Sequence, residues 1–175
     1  DELRGWLKGL QANVYYQSID RVFENRFTRP AARGSTLSFF NQSDDRQLTW
    51  GGAIKLELAL AERHRTLVGI DFEHDSLDSD KSTSISFPRP TTTSSFDEAA
   101  IRTASLYAQD EWKFTDALTG YLGARYYDVS ANLDASSVSP IAERNDARWL
   151  GTTGLVWSPT RTFSLRGSIA QGYTW

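Results

Sequence analysis

The sequence predicts an all-β fold, an antiparallel transmembrane β-barrel of which about seven strands can be counted. Three observations carry that prediction. The alternating apolar and polar runs extend about ten residues or more, where strands of water-soluble proteins usually run about five or six. The connections between runs alternate short and long, as the two rims of a bacterial outer-membrane barrel do. The six tryptophans lie near the ends of the runs and none in a middle, as side chains with an apolar body and a polar edge settle at two membrane interfaces.

The stretch 104–129, ASLYAQDEWKFTDALTGYLGARYYDV, shows the pattern most fully. Leu106, Ala108, Trp112 and Phe114 share one face, and Tyr107, Gln109, Glu111 and Lys113 the other; Asp110 interrupts the apolar face. Thr115-Asp116-Ala117 supplies a turn. Leu118, Leu122, Ala124 and Tyr126 then alternate with Thr119, Tyr121, Gly123, Arg125 and Tyr127.

From the start, DELRGW is a polar lead-in to a strand in which Leu10, Ala12, Val14 and Tyr16 oppose Gln11, Asn13, Tyr15 and Gln17. Residues 28–46, with Pro30, Gly34 and many small polar side chains, have the composition of a long exposed loop. The next strand sets Leu48, Trp50, Gly52, Ile54, Leu56, Leu58 and Leu60 against Thr49, Gly51, Ala53, Lys55, Glu57 and Ala59. Ala61-Glu62-Arg63-His64 turns the chain. In RTLVGIDFEHD, Val68, Ile70 and Phe72 oppose Gly69, Asp71 and Glu73. Residues 76–100 and 130–147 read as further long loops, rich in Ser, Thr and Asp. RWLGTTGLVWSP, a turn at Pro159-Thr160-Arg161, and FSLRGSIAQGYTW complete the chain. Trp6, Trp112 and Trp157 fall toward the short turns, and Trp50, Trp149 and Trp175 toward the long connections.

Composition excludes several functions. With 39% hydrophobic and 23% charged residues and a mean hydropathy of −0.47, totals alone would suit a soluble domain. No window approaches the ~18 apolar residues of a membrane helix, so a bilayer could be crossed only by a closed barrel. A net charge of −3 supplies no basic stripe for nucleic acid. With no Cys there is no disulfide, thiolate metal site or thiol nucleophile. Without Met or a signal-peptide pattern, Asp1 reads as the start of a processed chain or of a piece.

LYAQDEWKFTDALTGYLGARYYDV resembles the strand-turn-strand pattern of TonB-dependent outer-membrane receptors, through Tyr107, Gln109, Asp110, Gly123, Arg125 and Tyr126. GLVWSPTRTFSLRGSIAQGY, with Gly154, Trp157, Pro159, Gln171 and Gly172, is similar to the family's next hairpin. RTLVGIDFEHDS, followed by Ser86-Phe87-Pro88, resembles the ferric-siderophore branch. The resemblance covers most of 48–175. It implies that 1–175 is part of the barrel domain of such a receptor, a wall of roughly twenty-two strands in the whole protein. Neither the family's plug domain nor its TonB-contacting segment is recognisable.

By that resemblance the expected function is ferric siderophore uptake across the bacterial outer membrane, energised by the TonB complex through the missing plug region. The chain is not expected to be an enzyme, and no cofactor is expected, since iron would arrive as a chelate. Outer-membrane lipid is the surrounding partner and nucleic acid is not one. Tyr15, Lys55, Glu57, Asp71, Glu73, Tyr107, Arg125, Tyr127 and Arg166 all project to the polar face under this alternation. Arg125, Tyr127, Tyr107 and Glu73 are the substrate-binding candidates. Arg125 and Tyr127 lead because a fixed cation and a phenol near the long-loop end could meet anionic or catecholate-like groups.

Two other classes stay open on the residues. A small outer-membrane β-barrel enzyme would need a Ser/His pair facing one cavity; His74, beside Asp71 and Asp75, is its candidate, and a haem ligand is the variant of that idea. No nucleophile elbow or zinc spacing is present, and Asp75, Asp78 and Asp80 lack the ligand spacing of a calcium loop. A soluble adhesive β-sandwich is the second alternative.

Overall fold

Toward the short turns each run keeps one apolar and one polar side, and those turns bring the chain back beside itself. The computed structural model describes residues 3–30, 34, 36–86 and 89–172. A single helical turn, α1 (Leu3–Trp6), leads into β1 (Leu7–Pro30). There follow β2 (Thr36–Ala61), β3 (His64–Ile85), β4 (Thr91–Lys113), β5 (Leu118–Ser136), β6 (Ala142–Trp157) and β7 (Leu165–Ala170). They hydrogen-bond in chain order, every neighbour antiparallel, as one seven-stranded meander.

The short turns fall where the sequence places them. Glu62 and Arg63 join β2 to β3. Between β4 and β5 the Thr115 hydroxyl accepts from the backbone N–H of Leu118 at 3.0 Å and of Ala117 at 3.2 Å, which closes the turn without Gly. Thr160 does the same for Phe163 at 3.2 Å before β7.

The long connections are a correction. Within 28–46, 76–100 and 130–147, residues 28–30, 36–46, 76–85, 91–100, 130–136 and 142–147 are not loops but strand extensions that continue the antiparallel pairing. Their Ser, Thr and Asp content misleads because both faces are polar there, so the apolar alternation fades while the backbone ladder continues. Side-chain pairs knit the extensions: Ser43 and Ser79 donate to Asp45, Lys81 and Ser136 to Asp97, and Ser84 pairs with Thr92. Trp50 and Trp149 consequently sit mid-strand in β2 and β6 rather than at strand ends. Trp175 and Phe87-Pro88 lie outside the described residues.

The register places Leu10, Val14, Ile54, Leu56, Val68, Ile70, Leu106, Leu122 and Leu155 on one face of the sheet. Two aromatic rows bound that face. Trp50 packs with Phe72, and Tyr126 with Trp149, toward the extended hairpins. Trp112 packs with Phe114, and Trp157 with Phe163, toward the short turns.

These rows do not follow the hydrogen bonds. The row of Trp50 meets β6 at Asn145, four positions before Trp149, over four strands; that of Trp112 meets it at Leu155, two before Trp157, over two. Both girdles therefore drift one residue per strand toward the short turns. A rise of ~3.3 Å against a strand spacing of ~4.8 Å gives a tilt of about 35°, that of a barrel wall. Along β6, Trp149 and Trp157 are then separated by about 22 Å of height, close to the ~25 Å apolar band of outer-membrane barrels.

Among the described residues the sheet has no second layer. Leu37 and Val129 are the buried hydrophobic residues among those described, and Val14, Leu122 and Ile169 are 89%, 69% and 75% exposed. The surface of 13006 Å² far exceeds the about 8600 Å² of a globular protein of this mass, so the sandwich alternative fails: no facing sheet covers the apolar side.

Candidate functional site

Opposite the apolar face, the polar side of β1 to β6 is the lumen side of a barrel wall. Three tyrosines lie flat on glycines of the neighbouring strand: Tyr15 over Gly51, Tyr107 over Gly69 and Tyr121 over Gly154, each directly across the ladder. A Cβ on Gly51 would stand 2.6 Å from the Tyr15 hydroxyl, and one on Gly154 2.5 Å from the Tyr121 ring, so only glycine accepts these rings.

Tyr107 opposes Arg125, and Ser105 opposes both Asp71 and Tyr127. The Arg125 guanidinium is thereby held at one spot. Its Nη2 donates to Asp71 Oδ2 and, at 2.8 Å, to Ser105 Oγ; Nε also reaches Ser105 Oγ at 3.2 Å. Ser105 in turn donates to Asp71 at 3.0 Å. The guanidinium carbon lies 5.0 Å from the Tyr107 ring centre and 4.8 Å from that of Tyr127. Charge, fork and stacking all fix it, while Arg125 keeps 38% of its side-chain surface open.

Glu73, the fourth sequence candidate, belongs to a separate contact: it accepts from the Tyr15 hydroxyl at 2.5 Å above Gly51. The structure thus brings Arg125, Tyr107 and Tyr127 together and leaves Glu73 two residues further along β3 from Asp71. Alternation in the sequence places Asp71 on this face without tying it to Arg125, and does not single out Ser105. The available signal was same-face polarity on three adjacent strands, which becomes a contact only once the register is known.

The two histidines point the other way. His64 and His74 pair with Trp112 and Arg102 on the outward face, and alternation puts His74 on the side opposite Asp71 and Asp75. His74 packs on Trp50 with ring centres 5.6 Å apart, and its Nδ1 is buried without a hydrogen-bond partner. The imagined His74–carboxylate site therefore does not exist. Asp75, Asp78 and Asp80 divide between the two faces in the same way, and among the described residues no group of metal-binding side chains converges.

Along residues 1–174 the sequence matches the family described as TonB dependent receptor-like, beta-barrel. The chain belongs to that family. It is accordingly part of the β-barrel wall of a TonB-dependent receptor of the bacterial outer membrane, in keeping with its apolar band and two aromatic rows. Among solved structures, the copper transporter OprC is similar with a TM-score of 0.72 and 17% identity, over 97% of this chain and 28% of that one. The ferric citrate transporter FecA in its unliganded form is similar with a TM-score of 0.59 and 10% identity, over 90% of this chain and 24% of that one. At these identities the likeness is one of fold, and the chain spans about a quarter of either protein's length. No curated protein sequence matches.

Proposed function

We propose that this receptor wall serves the import of a ferric siderophore, energised by the TonB complex through the family's plug region. The observation that carries the reading is Arg125, held between Tyr107 and Tyr127 on the lumen side near the upper aromatic row. A partly open cation framed by phenol rings suits the anionic oxygens and flat rings of an iron chelate. Arg125, Tyr127 and Tyr107 are its contact residues, and Glu73 marks a second lumen position beside Tyr15. Iron comes in this reading as cargo inside the chelate, with no cofactor of the wall.

Copper is the competing cargo, favoured by the likeness to OprC. Copper sites draw on imidazole, thiolate and thioether ligands. This chain has no Cys and no Met, and both its histidines face outward, so the described lumen side offers oxygen donors and cations instead. The test is uptake by cells whose only receptor of this kind is the full-length protein. Labelled iron presented on a panel of siderophores should enter, and entry should stop when TonB is removed. Uptake of free copper with none of any ferric chelate would overturn the reading.

A further inference from the structure

Asp110 stands where a barrel wall should be apolar. Between the two tryptophan rows it is the one carboxylate on the outward face among the described residues, two positions inward of Trp112. A charge on the lipid side costs up to a few kcal/mol at mid-membrane and falls toward zero near the interfaces. Asp110 is met by designed partners: Thr66 donates to one carboxylate oxygen at 2.7 Å, and His64 Nδ1 lies 2.6 Å from the other. Both partners lie on β3, and His64 is nearer the short turns. Each oxygen keeps a free lone-pair site, and 37% of the side chain remains exposed.

Beside this carboxylate runs a groove of about 310 Å³ whose outward walls are Trp112, Phe114, Leu122 and Leu155, with Gly120 as its floor. Phe114 occupies the space a Cβ on Gly120 would take, 2.6 Å from its ring. The groove is braced from the next turn: Arg63 donates to the Phe114 carbonyl at 3.1 Å and accepts from the Lys113 N–H at 2.9 Å. His64 stacks on Trp112 with ring centres 5.1 Å apart. The apolar trough thus opens at Trp112 and Phe114 on the periplasmic rim and flanks a partly open carboxylate two positions further into the band, with Arg63 exposed on the water side of the rim.

We propose that this is a seat for a phospholipid of the periplasmic leaflet whose headgroup carries a primary ammonium. An acyl chain lies in the groove along Leu122 and Leu155 beside the Phe114 ring, the ammonium reaches inward to donate to Asp110, and the phosphate faces the guanidinium of Arg63. Charge complementarity selects this occupant. The uncharged glycerol headgroup of an anionic lipid has no cation to set against Asp110, and a quaternary ammonium has no N–H to give.

The experiment is native mass spectrometry of the full-length receptor in mild detergent, offered phosphatidylethanolamine, phosphatidylglycerol or phosphatidylcholine with identical acyl chains. The expected result is retention of phosphatidylethanolamine several-fold above either competitor. Asp110→Asn, which keeps the shape and can still accept from Thr66, should erase that preference. Trp112→Leu should weaken all three lipids alike. Equal retention of the three by the unaltered receptor, or stronger retention of phosphatidylglycerol, overturns the proposal without recourse to any variant. So does a preference that survives in Asp110→Asn.

Discussion

Arg125 of β5 and Asp71 of β3 are separated by a whole strand, yet their side chains meet across Ser105 of β4, which is only 6% exposed. The pair ties three strands together on the lumen side. Because both partners are about one-third exposed, each single replacement by alanine should cost about 1 kcal/mol. The two losses should not add: a double-mutant cycle on urea unfolding of the full receptor in vesicles should return a coupling of about 0.5–1 kcal/mol. Arg125→Lys should recover little, since an ammonium has neither the fork for Asp71 and Ser105 nor the plane for two tyrosines. Simple additivity would show that the contact contributes nothing.

Gly69 carries the Tyr107 ring, and through it one side of the Arg125 cage. A Cβ there would collide with that ring and lie 2.8 Å from the Ile54 carbonyl, which is backbone and cannot yield. Gly69→Ala should therefore destabilise the wall by about 1–3 kcal/mol. Gly151→Ala is the contrast, because its nearest neighbour is the Gln171 side chain at 3.6 Å. That substitution should be neutral or stabilising by up to about 1 kcal/mol, through lost freedom of the unfolded chain. Equal effects at both positions in the same unfolding assay would remove the Tyr–Gly seats from the account.

These two examples mark what the sequence could yield. Period-two alternation put Tyr107, Arg125 and Tyr127 on one face, and the three short turns were legible as polar breaks between apolar runs. The cage itself was not legible, because a contact among Asp71, Ser105 and Arg125 depends on register across three strands, which alternation alone leaves free by two residues. The hairpin extensions were misread for a different reason. Above the upper tryptophan row neither face borders lipid, so the row Asp45–Ser79–Asp97 on one face and the row Gln42–Ser82–Ser94 on the other carry polar side chains. Hydropathy is silent where no apolar solvent enforces it.

Those extensions should loosen in acid. The Ser136 hydroxyl, then the Lys81 ammonium, hold the Asp97 carboxyl below its usual range. The hydroxyls of Ser79 and Ser43, then Arg21, do the same for Asp45. A carboxyl that ionises more readily folded than unfolded stabilises fully above its unfolded value of ~3.9, and the benefit fades as pH falls through the lower folded value. Amide protection, measured against the intrinsic exchange rate at each pH, should therefore fall in β2 to β5 beyond the upper tryptophan row below about pH 4, before the membrane band responds. Asp97→Asn should flatten that response around Lys81 and Ser136 and leave it intact around Asp45. Protection that stays constant down to about pH 2 would rule out these pairs as the fastening.

The assignment of faces can be tested at the middle of the band. Leu122 is 69% exposed on the apolar side between Trp112 and Tyr126, while Gln109 lies on the opposite face of the adjoining strand, directly across from Gly123. An arginine facing lipid near the midplane costs about 2–4 kcal/mol, whereas one facing a wet lumen costs little. Leu122→Arg should thus destabilise the receptor in vesicles by that amount, and Gln109→Arg should fold almost as well as the parent. A slip of one residue in register would exchange the two faces and reverse the result. Because strand register repeats every second residue, that reversal would also turn Arg125, Tyr107 and Tyr127 toward lipid, and the proposed lumen site would be lost with it.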